Sequence, residues 1–238
     1  MKNLLKKSIH KLFNLLGYRL INISKEAAFE LRLWSGLEKK VIRRILHYEM
    51  FMKTISLSGN IVECGVATGV TLAFIKNLQK EFNCSRKIWG FDSFEGFSPA
   101  VEKDGVFFPT RQDDYNRKHQ TWTLDWVRQN LIDLGAQNSD DSDISLIKGW
   151  IPESFESYDG SPVSLMNVDV DIYEPTKATL EFFWPLLQEN GIILLDEYDF
   201  DRDFEKFPGA KTAVDEFCKA KNITVSKHYT GKSYIMKV

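Results

Sequence analysis

The sequence has few cysteines, no excess of either charge and no long apolar run. Cys64, Cys84 and Cys218 show no CxxC or other metal-binding spacing, and an odd number of cysteines without a secretory leader predicts reduced thiols in a cytoplasm. The formal net charge of −2 argues against nucleic acid as a partner, because proteins that bind it usually carry a basic excess. The apolar runs are far shorter than the ~20 residues that a membrane-spanning helix needs. The remaining composition, 43% apolar and 27% charged, is typical of a soluble globular protein.

Acidic residues are absent from the first 21 positions. This segment has apolar residues at helical spacing beside a basic face, which predicts an amphipathic helix. Such a helix can lie on an anionic membrane surface, or it can pack on its own domain or on a neighbouring subunit of a homo-oligomer. A signal peptide is not expected, since there is no continuous apolar core and no small-residue cleavage site. We therefore expect a cytoplasmic protein, with peripheral contact at the inner membrane surface as the alternative to a subunit contact. The basic residues are Lys2, Lys6, Lys7, Lys11 and Arg19.

Strands and helices alternate at short intervals over residues 56–238. This alternation predicts an α/β domain with a mostly parallel sheet and helices on both faces, preceded by a helical extension over residues 1–55. The segment PTKATLEFFWPLLQENG predicts a helix that opens at Pro175 and Thr176, closes at Gly191 and is followed by the strand IILLDEYDF. Residues 98–120 are polar and contain Gly and Pro, which predicts a long loop.

Acidic residues stand at or near the carboxyl ends of four predicted strands: Glu63, Asp92, Asp169 and Asp196. In sheets of this kind, ligands bind at that edge. One acid at a strand end is ordinary, but four predict a crevice lined with carboxylates. A buried and unpaired carboxylate is very costly, so these groups must face water or share a cation.

The first predicted strand runs into a turn with two glycines, VECGVATGVT. Gly65 and Gly69 let the backbone turn tightly against a ligand, although the segment is neither GxGxxG nor a P-loop. An ordinary tight turn between a strand and a helix is the alternative. Asp92, at the end of the second strand, favours the ligand-binding interpretation because a carboxylate there can accept hydrogen bonds from ribose hydroxyls.

A second group of acids comes from the stretches VDVD and LLDE, which end two later strands. Asp169 and Asp171 end one strand, and Asp196 and Glu197 end the next. A solvated strand end is the alternative for Asp171 and Glu197 taken singly. As a set without His or Cys, these oxygen ligands favour a hard cation such as Mg²⁺, which would relieve their mutual repulsion.

Five segments together resemble the macrocin-type sugar O-methyltransferases: VECGVATGVT, IWGFDSFEGF, GWIPESF, VDVDIYEPTKATLEFFWPLLQENGIILLDEYDF and PGAKTAVDEF. The likeness runs from about residue 55 to 238. It implies a class I S-adenosylmethionine-dependent fold, a Mg²⁺-dependent site and methyl transfer to a sugar hydroxyl of a glycoside, nucleotide sugar or glycan. It also implies residue roles. The metal ligands would be Asp169, Asp196 and Glu197, and Glu197 stands where the family often has Asp. The general base would be Asp171. The cofactor contacts would be Glu63, Gly65, Asp92, Ser93 and Trp150.

Three alternatives remain open from the sequence. The same fold and acids would serve a Mg²⁺-dependent methyltransferase of a phenol or catechol. A non-catalytic scaffold protein of the same fold is the alternative from a different functional class. His47, His119 and His228 are rivals of Asp171 for the role of base, since imidazole titrates near neutral pH.

Overall fold

The computed structural model describes residues 37–106, 112–114, 116, 122–137, 143–198 and 203–238, with the side chains of 37–40 and 203–204 left out. The chain divides into two compact units, Met1–Ile42 and Arg43–Val238. Helix α1 (Leu37–Lys53) buries Leu46, Met50 and Phe51 in the core of the second unit. The helical extension over residues 1–55 stays a prediction. The predicted amphipathic helix over residues 1–21 lies outside the described residues.

The second unit contains a seven-stranded sheet in the order β3-β2-β1-β4-β5-β7-β6. The first five strands in this order are parallel, and β7 runs antiparallel to both of its neighbours. The predicted mostly parallel α/β sheet is thereby confirmed. The strands are β1 (Asn60–Cys64), β2 (Ile88–Asp92), β3 (Ile144–Lys148), β4 (Val163–Val168), β5 (Leu187–Leu195), β6 (Ser226–Lys227) and β7 (Ser233–Met236).

Helices cover both faces of this sheet and bury two separate cores. Neighbouring residues of one strand enter different cores, as Leu165 and Met166 of β4 do, because successive side chains point to opposite faces. β1 and β4 are buried along their whole length between these cores. Their buried polar residues are hydrogen-bonded, with Asn60 bonded to Tyr158, Ser164 to Gly59 and Asn167 to Glu63. The remaining described helices are α2 (Val70–Glu81), α3 (Leu124–Asp133), α4 (Tyr173–Phe183), α5 (Asp203–Lys206) and α6 (Pro208–Lys221), with 3₁₀ turns at Glu102–Asp104 and Glu153–Ser157.

The predicted bounds of one helix were wrong at both ends. α4 begins at Tyr173, so Pro175 lies inside its first turn, where a missing N–H costs nothing. The helix ends at Phe183 and not at Gly191, because Pro185 lacks the N–H that would continue the hydrogen bonding of the helix. Residues 187–191 instead extend β5, which accommodates them through a register shift against β4.

The parallel strands place the predicted acids at one edge of the sheet. Glu63 pairs with Asn167 of β4 in the β1–β4 register, and Asp92 is the last residue of β2. Asp169 directly follows β4, and Asp196 directly follows β5. None of the helices in the described ranges is long and apolar enough to cross a membrane. All three cysteines are free thiols, with Cys64 and Cys218 buried.

Candidate active site

The glycine turn after β1 passes directly over the end of β4. Gly65 has φ +85°, and a Cβ on it would lie 1.7 Å from the carbonyl oxygen of Asp169, so only glycine fits. Gly69 also has a positive φ, +76°, and stands at the N-terminal end of α2. The backbone N–H of Asp169 donates to the carbonyl of Cys64 at 2.9 Å. The turn and the first acid of the VDVD stretch are therefore one rigid piece of structure.

The carboxylate of Asp92 holds this turn in place. Its Oδ2 accepts hydrogen bonds from the N–H groups of Val66 (2.8 Å) and Ala67 (2.9 Å), and its Oδ1 accepts from Phe94 N–H at 2.7 Å. The predicted contact with ribose hydroxyls would thus use the lone pairs that these bonds leave. Ser93 donates from Oγ to the carbonyl of Gly96 at 2.5 Å, which folds the next loop against the same wall.

An open crevice lies between the glycine turn and the end of β4. It encloses about 620 Å³, counting space open to solvent. The sequence predictions Gly65, Asp92, Ser93, Trp150, Asp169 and Asp171 all line it, and apolar side chains such as Phe91, Phe97 and Ile151 complete its walls. Glu63, Gly69, Asp196 and Glu197 are not among its lining residues.

Three carboxylates meet at one end of this crevice. Asp169, Asp171 and Glu197 each offer an oxygen atom, and these atoms lie within 4.8 Å of one another. Of the three, Glu197 is buried at 7% exposure. This acid trio brings together two of the three predicted metal ligands with the predicted base.

The third predicted ligand, Asp196, is paired with two cations of the protein itself. Arg43 Nη2 lies 2.6 Å from Asp196 Oδ2, and Lys232 Nζ lies 3.0 Å from Oδ1. Lys232 also donates to the backbone carbonyl of Asp196 at 2.8 Å. The guanidinium of Arg43 extends towards the trio as well, with Nη1 3.7 Å from Asp169 Oδ2. Nothing in the sequence spacing marks Arg43 or Lys232, because each comes from an element far away along the chain.

These surroundings separate the pKa values of the acids. Burial raises the pKa of Asp169 to about 6, and repulsion by Asp196 adds to it, although about a quarter of the Asp169 side chain (24%) remains exposed. Burial, followed by the charges of Asp169 and Asp196, raises the pKa of Glu197 well above its usual value. Burial acts in the same direction on Asp196, but Lys232 and Arg43 outweigh it and lower its pKa to about 2. The trio is therefore a site at which added positive charge is strongly favoured.

Glu63 lies beneath the glycine turn and is almost fully buried. Its Oε1 accepts a hydrogen bond from Asn167 Nδ2 at 2.9 Å, whereas Oε2 has no hydrogen-bond partner among the described residues. Burial raises the pKa of Glu63 to about 8. A buried carboxyl with an unmet acceptor next to a ligand-sized crevice is a feature of binding sites.

The histidines that rivalled Asp171 do not face the crevice in the described structure. His47 is buried, and its pKa is lowered to about 3 by burial and by Arg44, so it stays neutral. His228 Nε2 lies 2.8 Å from Glu49 Oε2, and His228 is not among the lining residues of the crevice. His119 lies outside the described residues.

The strand order and the ligand crevice at the carboxyl edge define a class I methyltransferase fold. The structure of the O-methyltransferase NovP matches the chain with a TM-score of 0.70 at 20% identity, over 83% of this chain and 80% of that one. The family model described as macrocin O-methyltransferase (TylF) matches residues 41–228. The chain belongs to this family.

Curated relatives match over most of this domain. The chain is 26% identical over 166 residues to the 8-demethyl-8-(2,3-dimethoxy-alpha-L-rhamnosyl)-tetracenomycin-C 4'-O-methyltransferase of Streptomyces olivaceus, a match that covers 67% of this chain and 62% of the relative. It is 26% identical over 165 residues to the demethyldecarbamoylnovobiocin O-methyltransferase of Streptomyces niveus, over 68% of this chain and 59% of the relative. The matches thus span about 60% of the length of these relatives.

Proposed function

We propose that the protein is an O-methyltransferase that moves the methyl group of S-adenosylmethionine to a hydroxyl of a sugar. The observation that carries this proposal is the crevice at the carboxyl edge of the sheet, which has the glycine turn on its wall and the acid trio at one end. The Gly65 backbone and the Asp92 carboxylate on one wall suit a nucleoside, and adjacent carboxylates suit a hydroxyl that must lose its proton.

The cofactor is proposed to lie along the glycine turn. Gly65, Asp92 and Ser93 line the wall beside it, and Trp150, 40% exposed, offers an aromatic surface. Gly69, which starts α2 at the end of the turn, is also proposed as a contact. The unpartnered Oε2 of Glu63 is a further acceptor below the turn. When bound, S-adenosylmethionine supplies an electrophilic methyl group on its sulfonium.

A Mg²⁺ ion is proposed to bind at the acid trio, with Asp169 and Glu197 as ligands. The donor set fits such an ion, because it consists of carboxylates alone and because its members repel one another without a cation. When bound, Mg²⁺ lowers the pKa of a hydroxyl that it coordinates. Asp196 is the third proposed ligand, and its pairing with Arg43 means that a metal ion must compete with this guanidinium.

Asp171 is proposed to accept the proton of the acceptor hydroxyl. Its side chain lines the crevice within reach of Asp169 and Glu197, so a hydroxyl held at the trio would lie beside it. Apolar walls formed by Phe97, Ile151 and Ile172 border the place where donor and acceptor are proposed to meet. Alignment of the two reactants in such a place supplies much of the rate enhancement.

A sugar acceptor is supported by the relatives, whose names describe methylation of a rhamnosyl glycoside and of a novobiocin precursor. A phenolic or catechol acceptor is the second candidate, since the same carboxylates would serve it. The test is a panel of rhamnosyl glycosides, nucleotide sugars and catechols incubated with labelled S-adenosylmethionine. Faster labelling of the glycosides or nucleotide sugars supports the proposal, and exclusive labelling of catechols contradicts it. No labelling together with no cofactor binding would favour the scaffold alternative.

We propose that residues 1–21 contact either a neighbouring subunit or the anionic cytoplasmic surface of the inner membrane. Each Lys or Arg near such a surface contributes ~1 kcal/mol, so five would hold the protein there reversibly. Deletion of this segment should change the mass in solution if it forms a subunit contact. If it forms a membrane contact, deletion should abolish sedimentation with anionic liposomes.

A further inference from the structure

The helix that follows Asp171 begins without a capping side chain of its own. α4 starts at Tyr173, and the N-cap residue, Ile172, has no polar side-chain atom to accept a hydrogen bond. The first N–H groups of an α-helix have no partner within the helix, so helices usually begin at Ser, Thr, Asp or Asn. α4 therefore needs an acceptor from elsewhere in the chain.

Asp104, from the 3₁₀ turn 69 positions upstream, provides this acceptor. Its Oδ1 accepts a hydrogen bond from Tyr173 N–H at 2.7 Å, and its Oδ2 accepts from Val101 N–H at 2.8 Å. Asp104 is only 2% exposed, and the space around it is so restricted that a Cβ on Gly209 would lie 1.8 Å from Oδ1. A carboxylate at this position also interacts favourably with the N-terminal end of the helix dipole.

The same carboxylate joins two walls of the crevice. On one side it holds the loop that ends at Val101, of which residues 96–98 line the crevice. On the other side it holds the start of α4, which directly follows the lining residues Asp171 and Ile172. A second link on the outside is exposed: Lys103 Nζ donates to Tyr173 OH at 2.7 Å, and its side chain is 44% exposed. The buried link is thus the one that water does not weaken.

Asp171 itself has a backbone conformation that must be held from outside. Its φ is +63°, in the left-handed region that residues other than glycine seldom adopt. Such residues persist where the surrounding structure fixes them. Its neighbours are fixed by Ile172 N–H, which donates to the Val170 carbonyl at 2.7 Å, and by the bond from Tyr173 N–H to Asp104.

We propose that Asp104 is a positioning residue for the methyl transfer: by capping α4 from a distance, it fixes the turn that presents Asp171 to the crevice. This inference rests on the proposed function, in which Asp171 is the base. Asp104 touches no reactant, so its effect should fall on the rate of the bound complex and not on cofactor binding.

The test compares the wild-type protein with Asp104→Asn, which keeps the size of the side chain but leaves only one oxygen for two N–H groups. We expect kcat to fall by about 10- to 100-fold, as small misplacements of reacting groups do. The KM for the acceptor and the Kd for S-adenosylmethionine should stay within about twofold. Exchange of the Tyr173 amide proton, followed by NMR without substrate, should become about tenfold faster.

Asp159→Asn is the matched control. Asp159 lies in the loop before β4, at the opposite edge of the sheet, and accepts a hydrogen bond from Ser161 N–H at 3.0 Å. Its replacement should leave kcat unchanged. An equal fall in kcat in both variants would show a general structural effect and overturn the proposal.

Three further outcomes would also count against it. If Asp171→Asn abolishes transfer while Asp104→Asn retains full kcat, the proposal is overturned and the proposed function stands. If the wild-type protein transfers methyl to no acceptor, the proposed function fails and the catalytic part of this inference fails with it. If Asp104→Asn does not fold, hydrogen exchange of the Tyr173 amide in the wild-type protein is the test. Exchange as fast as that of a solvent-exposed amide would show that Asp104 does not cap α4, and would overturn the proposal.

Discussion

Replacement of Glu63 by Gln should make the unliganded protein more stable at alkaline pH. Burial raises the pKa of Glu63 from 4.5 to about 8, so the folded protein holds a proton that the unfolded chain has lost. Because the native state binds more protons between these two values, its free energy of unfolding falls as pH rises through this window. Glutamine is neutral at every pH and keeps an oxygen for the Asn167 amide, so the Glu63→Gln protein avoids this loss.

The size of the effect follows from the two pKa values. One pKa unit corresponds to about 1.4 kcal/mol. Integration of the linkage relation predicts that, between pH 5 and pH 8, the free energy of unfolding of the wild type falls by about 3.5 kcal/mol relative to that of Glu63→Gln. Urea denaturation of both proteins at pH 5 and pH 8 measures it. Asp169 and Glu197 titrate in both proteins, so most of their own contribution cancels in the comparison. Glu189→Gln, at an exposed position of β5, is the control and should change the free energy of unfolding by less than about 0.5 kcal/mol at either pH. A difference between wild type and Glu63→Gln that does not grow with pH would refute this reasoning.

Three other predictions concern the cofactor and metal sites. Gly65→Ala would place a Cβ 1.7 Å from the Asp169 carbonyl at a φ of +85°, so thermal denaturation should show a lower Tm and calorimetry should show no S-adenosylmethionine binding; cofactor binding close to wild type would contradict the account of the turn. Asp92→Ala removes the acceptor of three backbone N–H groups, and calorimetry should show cofactor affinity weakened by ~1.5–3 kcal/mol, whereas unchanged affinity would remove Asp92 from the site. Arg43→Gln removes the cation that competes for Asp196, so Mn²⁺ titrated as a spectroscopic substitute for Mg²⁺ should bind severalfold more tightly; weaker binding would show that Arg43 supports the metal site instead.

The sheet and the edge that carries the site were predictable because they follow from patterns along the chain. Short apolar stretches predicted the strands. Because parallel strands end at the same edge of a sheet, Glu63, Asp92 and Asp169 were predicted to lie close together. The end of α4 was the main error in the fold. The apolar periodicity continued past Trp184, and it concealed the effect of Pro185 on the helix.

The contacts that set the charges of the site were not predictable from the sequence. Arg43 reaches Asp196 from a helix 153 positions away, and Asp104 reaches Tyr173 across 69 positions. Neither pair has a spacing or a motif that marks it. The sequence also did not indicate the backbone partners of Asp92. It predicted a ligand contact, and the structure adds hydrogen bonds from three backbone N–H groups.

Methyl transfer to a sugar with and without Mg²⁺ tests the central claim most directly. The protein would be treated with EDTA, mixed with labelled S-adenosylmethionine and a rhamnosyl glycoside, and assayed before and after addition of Mg²⁺. We expect label on the sugar only after Mg²⁺ is restored, while cofactor binding persists in EDTA. Full transfer in the presence of the chelator would contradict the assignment of Asp169, Asp196 and Glu197 as metal ligands, and label on a phenol but on no sugar would contradict the proposed acceptor.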